Sequence, residues 1–245
     1  MELKEKERID DLEFKGLKII QKEGGFCFGI DAVLLSDFAK EIRNNSQVLD
    51  LGTGTGILSI LLTAKTNLKK IYGIEIQEEV ANMAKRSVEL NQLQEKVEII
   101  NKNIKDLKNI FEKNSMDAIV TNPPYKKLDT GKTNEKENKY IARHEVTASL
   151  EDFIKISFDL LKDKGSFYMI HRPERLAEII YTLKKNKLEP KRMRFIYSNI
   201  EQEPKLVLIK AVKNAKEFLT VEKPLFIYNK QGEYTEEILQ IYHKN

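Results

Sequence analysis

Apolar and polar positions along this chain alternate between two periods. Short runs of β-branched and other apolar residues recur at 47–51, 70–76, 97–101, 116–121, 165–171, 192–198 and 206–212. Between several of them apolar residues return every three to four positions, which predicts helices over 57–66, 78–91, 150–161 and 174–185. Strands alternating with helices are the pattern of βαβ units, so a mostly parallel sheet of seven strands is expected. The last two runs are separated only by Ser198-Asn199-Ile200-Glu201-Gln202-Glu203-Pro204, which leaves no room for a crossover helix. They are expected to pair antiparallel at a sheet edge.

The flanks read differently. Ahead of the first parallel strand, a β-hairpin is expected over 17–28, turning on Gly24-Gly25. The polar stretch 126–140, which contains Gly131, reads as a moving loop, and 220–245 as an appendage packed on the domain. The whole chain, 1–245, is expected to form one domain: an N-terminal extension over 1–45, a core over 46–214 and a C-terminal appendage over 215–245.

Composition adds limits. At 245 residues and 41% apolar content the chain can bury a sizeable core. Its 42 basic and 38 acidic residues leave a net charge of +4, which barely argues for a polyanionic partner. The single cysteine, Cys27, rules out an intramolecular disulfide and fits a reducing compartment. No partner base stands near it in sequence, so it reads as a packed thiol. No Cys/His spacing suggests a metal, and none is expected. MELKEKERID at the start has no apolar signal core, and the longest apolar stretch, around 57–64, is too short for a bilayer. The expectation is a soluble cytoplasmic protein that does not engage membranes.

Candidate chemistry begins at VLDLGTGTGIL, Val48 to Leu58, a strand, a glycine turn and a helix start. A phosphate-binding P-loop fails because Ile57 stands where lysine is needed. A dinucleotide fingerprint fails because the third glycine is Gly56, one position early. What remains, Asp50-x-Gly52-x-Gly54-x-Gly56, resembles motif I of class I S-adenosylmethionine-dependent methyltransferases. Glu75 follows at the end of the second strand, where a carboxylate can accept both ribose hydroxyls of such a cofactor. After the third strand, Asn103 stands where the family has an acid facing the adenine, and Asp106 competes for that place. The resemblance implies an α/β, Rossmann-like class I methyltransferase fold, with a seven-stranded mostly parallel sheet, an antiparallel last strand and an N-terminal β-hairpin.

The fourth strand ends on Asn122-Pro123-Pro124-Tyr125, which resembles motif IV of amino-group methyltransferases. Two prolines make the turn stiff and strip it of backbone donors, leaving only acceptors. That suits a substrate whose reacting group is an –NH2. The resemblance implies that the Asn122 oxygen takes one N–H of the target and the Pro123 carbonyl the other. It also implies that Tyr125 stacks on the target ring, which is worth ~1–3 kcal/mol for a base. Asn cannot act as a base, so the surplus proton is expected to leave to water.

Adenine or guanine in RNA, bases in DNA and the glutamine of release factors all share this motif. The space ahead of Asp50 is short for a release-factor enzyme, and a DNA-recognition domain has little room. Lys184, Lys185, Lys187, Lys191, Arg192 and Arg194 cluster beside one acid, Glu189, while Lys126, Lys127, Lys132, Lys136, Lys139 and Arg143 follow the motif IV turn. Both groups are candidates for tracking a phosphate backbone. FCFGIDAVLLSDFA, NPPY, IARHE, HRPERL, EPKRMRFIY and PLFIYNKQGEYTEE are similar to the bacterial tRNA (adenine-37-N6)-methyltransferase family acting on valine tRNA. That likeness implies N6-methylation of adenine in tRNA, with S-adenosylmethionine as cofactor, tRNA as partner, and neither DNA nor an obligate protein partner. It places Phe26, Phe28 and Asp31 at the cofactor and base pocket, and Arg143, His144 and Glu145 after the loop. His171 and Arg172 end the fifth strand at the same edge. The alternatives are methylation of the guanine N2 amine in ribosomal RNA and a non-catalytic RNA-binding module on a relict cofactor fold.

Overall fold

The computed structural model describes residues 3–23, 29–125 and 148–243. The motif-bearing runs form parallel strands: β3 (Gln47–Leu51), β4 (Lys70–Glu75), β5 (Val97–Asn101), β6 (Met116–Thr121) and β7 (Leu161–His171). β8 (Leu188–Tyr197) and β9 (Pro204–Lys213) complete the expected seven in the order β5-β4-β3-β6-β7-β9-β8. β9, the last of the seven in sequence, runs antiparallel to both neighbours. Successive side chains along each strand enter opposite cores. Val48, Ile71, Val120 and Tyr168 join one cluster, while Leu49, Ile74, Ile119 and Phe167 join the other. Burial on both faces explains why these strands read as continuous apolar runs.

Helices cover both faces. The first layer holds α1 (Ile30–Phe38), α2 (Ile57–Lys65) and α3 (Glu78–Leu90). The second holds α4 (Leu150–Leu160), α5 (Leu176–Lys185) and a 3-10 turn over Ile104–Asn109. Ser149 starts α4 with a capping box, its hydroxyl accepting from Asp152 N while the Asp152 carboxylate accepts from Ser149 N. From β3 the chain builds outward to β4 and β5, then returns to lay β6 on the other side of β3. This reversal is the switch point where open α/β sheets form their crevice.

Three differences from the sequence reading have physical causes. The hairpin arm β2 (Lys18–Lys22) pairs with β1 (Glu7–Asp11), and its turn runs through Lys15 and Gly16, both at positive φ. β1 is largely exposed, so it carries no hydrophobic signal, and the expected Gly24-Gly25 turn lies outside the described residues. β8 begins four residues early because Pro190 adjoins a register shift, where a missing donor is tolerated. The appendage is partly woven into the sheet. β10 (Thr220–Val221) and β11 (Leu225–Phe226) pair parallel with β8, and α6 (Glu236–Ile241) buries Ile238 and Ile241 in the first core.

The hairpin is fastened to α3 by polar groups as well as packing. Ile20 N donates to the Ser87 hydroxyl at 2.9 Å, and Asn91 bonds both the N–H and the carbonyl of Lys18. Arg86 grips Glu7 in a bidentate pair at 2.5 and 2.7 Å. The Arg86 hydrogen bonds hold the Glu7 carboxyl below its ordinary 4.5, so this stabilisation is present above that pH and fades as pH falls through the lowered value. Glu7→Gln is expected to cost ~1.5–3 kcal/mol at neutral pH and to flatten the acid limb of the stability curve. Denaturant melts of both proteins from pH 7 downward check this, and parallel curves would remove Glu7 from the account.

Candidate active site

Gly52, Gly54 and Gly56 all take positive φ, at +74°, +58° and +90°. At Gly56 a Cβ would stand 3.3 Å from that of Ala84, so its absence lets α2 pack close to α3. At Gly54 a Cβ would meet nothing within 4 Å, so the loop offers bare backbone to open space there. Gly52 N and Thr53 N both donate to the Ile74 carbonyl at 2.9 Å, hanging the turn from the neighbouring strand. Asp50 is buried, and its Oδ2 accepts from the Thr53 hydroxyl at 2.6 Å and the Ser59 hydroxyl at 2.8 Å. Burial pushes its carboxyl up to about 6. Asp50 therefore faces the loop it braces and the start of α2.

Glu75 is buried at the end of β4, accepting from Gly54 N at 3.1 Å and Gln77 N at 2.9 Å. Burial raises its carboxyl too, and among the described residues no cation pairs with it. A buried carboxylate beside bare glycine backbone, with capacity for further donors, fits a ligand that brings hydroxyl groups. Asn101 locks this corner, its amide donating to the carbonyls of Glu75 at 2.8 Å and Ile76 at 3.0 Å. An amide on the last residue of a strand was the sequence signal for it, and sequence reasoning passed it over. Asn103 caps the 3-10 turn, its oxygen accepting from Lys105 N at 3.0 Å, while Asp106 is exposed.

On the other side of the switch point, β6 ends level with β3. Thr121 pairs with Leu51 and donates its hydroxyl to the Leu51 carbonyl at 2.9 Å. Asn122, Pro123, Pro124 and Tyr125 follow directly, so the proline turn stands next to the glycine loop. The Tyr125 hydroxyl lies 2.5 Å from Asp31 Oδ2 and 2.7 Å from Asn122 Oδ1. Burial and the Asp31 charge push the phenol far above its ordinary range. The Arg172 guanidinium sits over the Tyr125 ring at 5.3 Å, and His171 meets the ring edge at 5.2 Å. Burial drives His171 down to about 4, so its ring is neutral. Its Nδ1 accepts from Arg172 N at 2.7 Å, which leaves Nε2 as a buried N–H without a partner among the described residues.

Lys184, Lys185 and Lys187 of the basic cluster do not join this edge. Leu188 pairs with Lys213 and Glu189 with Val212, level with Ser166, where β7 enters its pairing with β9. Lys184, Lys185 and Lys187 therefore stand at the opposite edge of the sheet, about 17 Å below His171 at ~3.3 Å per residue. Lys184 pairs with Glu217 at 2.8 Å and Lys185 with Glu151 at 3.1 Å. Arg192 bridges Glu41 and Glu222 at 2.6 and 2.5 Å, and Arg194 pairs with Glu237 at 2.7 Å. Four of the six basic side chains expected to track phosphates over 184–194, Lys184, Lys185, Arg192 and Arg194, thus stand in ion pairs. Their acids come from distant sequence, which a local charge count misses. Phe26, Cys27, Phe28, Lys126, Lys127, Lys132, Lys136, Lys139, Arg143, His144 and Glu145 lie outside the described residues. Among the described residues no helix is long and apolar enough to cross a membrane, and no cluster is placed to hold a metal.

Comparison with known proteins agrees with this geometry. The family model described as methyltransferase small domain matches residues 16–186. A Porphyromonas gingivalis protein named tRNA1(Val) (adenine(37)-N6)-methyltransferase is 28% identical over 204 residues, covering 81% of this chain and 79% of its own. One of the same name from Mannheimia succiniciproducens is 25% identical over 235 residues, covering 93% and 90%. An Agrobacterium tumefaciens crystal structure described as a predicted O-methyltransferase superposes with TM-score 0.71 at 20% identity, covering 87% and 96%. M. jannaschii TYW2, solved in complex with AdoMet, gives 0.58 at 18% identity, covering 86% and 88%. These two likenesses speak to the fold.

The raised Asp50 carboxyl has a stability consequence. Between its ordinary 3.8 and about 6 the folded state holds a proton that the unfolded state has released. Its contribution is therefore complete below that window and lost as pH rises through it. Asp50→Asn, which cannot titrate, is expected to remove this decline while lowering stability overall, because an amide cannot accept at both former carboxylate oxygens. Melts of both proteins from pH 4 to pH 7 check it, and an equal decline in the variant would assign the window to another group.

Proposed function

Because this chain belongs to the methyltransferase small domain family, we propose that it methylates the N6 amine of adenine in tRNA, using S-adenosylmethionine. The target we assign is position 37 of valine tRNA, in line with the names of its relatives. The observation that carries this reading is the adjacency of two loops at the switch point. The glycine turn with Glu75 closes one strand, and the acceptor-only Asn122–Pro123 turn closes its neighbour.

The Gly52–Gly56 loop and Glu75 would hold the cofactor, with the Glu75 carboxylate accepting from ribose hydroxyls. Asp50 and Asn101 act behind them by fixing the loop and the Glu75 backbone. Asn103 remains the candidate at the adenine end. When bound, S-adenosylmethionine supplies an electrophilic methyl group. The residues of the chain supply orientation. Asn122 Oδ1 and the Pro123 carbonyl take the two N–H bonds of the amine, which turns its lone pair out of the ring plane. Orientation of this kind is a large source of acceleration. Neither acceptor is a base, so the released proton passes to water. Position 37 lies in a loop, where splaying a base out is cheapest. Phe28, Lys126, Lys127, Arg143 and His144 are assigned to the pocket and its RNA approach on resemblance. On this reading the chain works as one domain in the cytoplasm.

Valine tRNA from a strain lacking the gene is expected to carry unmodified adenine at position 37, restored by the wild-type gene and not by Asn122→Ala. In the purified protein Asn122→Ala should lower methyl transfer about 100-fold or more, the cost of misplacing a reacting group. Its cofactor affinity should be retained, whereas Glu75→Ala should lose ~1.5–3 kcal/mol of cofactor binding. Full N6-methyladenosine at position 37 in the deletion strain would refute the assignment.

A second expectation follows from the ion pairs of Lys184 and Lys185 and from the place of Lys187 at the same edge. Replacing Lys184, Lys185 and Lys187 together with Ala should leave the salt dependence of tRNA binding unchanged. Each lost phosphate contact would shallow the slope by ~0.7 on single-stranded nucleic acid. Titrations across a salt series decide it, and a slope shallower by ~2 would return these lysines to the RNA surface.

A further inference from the structure

We propose that Asp31 is a positioning residue for methyl transfer, acting through Tyr125 to set which side of the Asn122 amide faces the target amine. This rests on the reading that Asn122 accepts from that amine. The three groups form a chain, with the Tyr125 hydroxyl 2.5 Å from Asp31 Oδ2 and 2.7 Å from the Asn122 amide, whose Oδ1 stands on that side in the structure. A phenol has one proton and can give it to one of them. The carboxylate is the stronger acceptor, and 2.5 Å is the length of a charge-assisted O–H···O⁻ bond. Tyr125 therefore donates to Asp31 and presents its oxygen to Asn122. An amide oxygen there would set two acceptors against each other. The nearly isosteric –NH2 has to take that place, since the two ends of an amide are assigned from their hydrogen-bond network. Asn122 then donates to Tyr125, and its oxygen points away from the phenol, free to accept.

The surroundings hold this chain in place. Asp31 lies in the first turn of α1, where the helix N-terminus favours a carboxylate. Ala32 to Ser36 and Phe38 bury that helix in the core, so Asp31 stands on a rigid element. Arg172 over the ring and neutral His171 at its edge fix Tyr125 from the other side. Without the carboxylate, the phenol proton turns to the Asn122 oxygen and occupies the acceptor that the amine needs. Asp31 thus acts on the chemistry through Tyr125, a role beyond the pocket position that the family likeness implies.

The test is a double-mutant cycle of Asp31→Asn and Tyr125→Phe, read by single-turnover methyl transfer to unmodified valine tRNA and by calorimetry with S-adenosylmethionine. Each single variant is expected to slow transfer ~10- to 100-fold, as a misoriented acceptor does. Cofactor affinity should not change, and the double variant should be no slower than Tyr125→Phe, because both changes act through one bond. If Asp31→Asn slows the Tyr125→Phe protein as much as the wild type, or weakens cofactor binding, the proposal is overturned. A second readout needs no RNA. The Asn122 side-chain amide protons, identified by their loss in Asn122→Ala, should show a nuclear Overhauser effect to the Tyr125 ring that disappears in Asp31→Asn. Its absence in the wild type would overturn the amide orientation whatever the substrate proves to be. Its presence in a protein that methylates no tRNA would fault the substrate assignment alone.

Discussion

The parallel pairing of β3 with β6 is the constraint on which the rest of this molecule depends. The strand order reverses there, so two consecutive turns leave the sheet side by side with no crossover between them. The Thr121 hydroxyl on the Leu51 carbonyl ties the two exits at their last residues. A slip of one residue would turn every side chain of β6 to the opposite face. Ala118 and Val120 would then leave one core and Ile119 the other. Two-sided burial thus sets the register, and the register sets the distance between the glycine loop and Asn122.

Around that joint the protein uses buried carboxylates as structural clamps. Asp50 gathers Thr53 and Ser59, and Glu75 gathers Gly54 and Gln77. Each acid is desolvated and held by neutral donors, which costs stability unless every donor is well placed. The return is a loop that needs little rearrangement to receive a ligand. Tyr125 belongs to the same design on the substrate side, since its hydroxyl reaches both Asp31 and Asn122 while its ring is held by Arg172 and His171. Strands supply Asp50, Glu75 and His171 and a helix supplies Asp31, while the prolines stiffen the turn that carries Asn122 and Tyr125.

Away from the joint, surface charge ties elements of the fold together. Arg192 binds α1's flank to the appendage by bridging Glu41 and Glu222, and Arg194 reaches α6 through Glu237. Lys213, buried, donates to Asn114 and to the carbonyls of Phe158 and Leu161, sealing the α4–β7 junction. The appendage is stitched in by these pairs and by two short strands on β8, which explains how so polar a segment stays on the sheet.

The sequence by itself determined what depends on near neighbours. Strand and helix periods located all seven main strands, β3 to β6 to within one residue, because burial on two faces leaves an unbroken apolar run. The glycine spacing, Glu75 and Asn122-Pro123-Pro124-Tyr125 were legible because each motif is a local backbone requirement. β1, β10 and β11 were not legible, since exposed or two-residue strands are made by their partners and carry little pattern of their own. Only the tertiary structure decided which charges stand free. Lysines and arginines clustered over 184–194 look like one basic surface in sequence, yet the sheet order brings acids from Glu41, Glu151, Glu217, Glu222 and Glu237 against them. The same holds for Asp31, which meets Tyr125 across a separation of 94 residues. An ionised side chain takes the partner that packing sets against it, and packing is a property of the whole sheet.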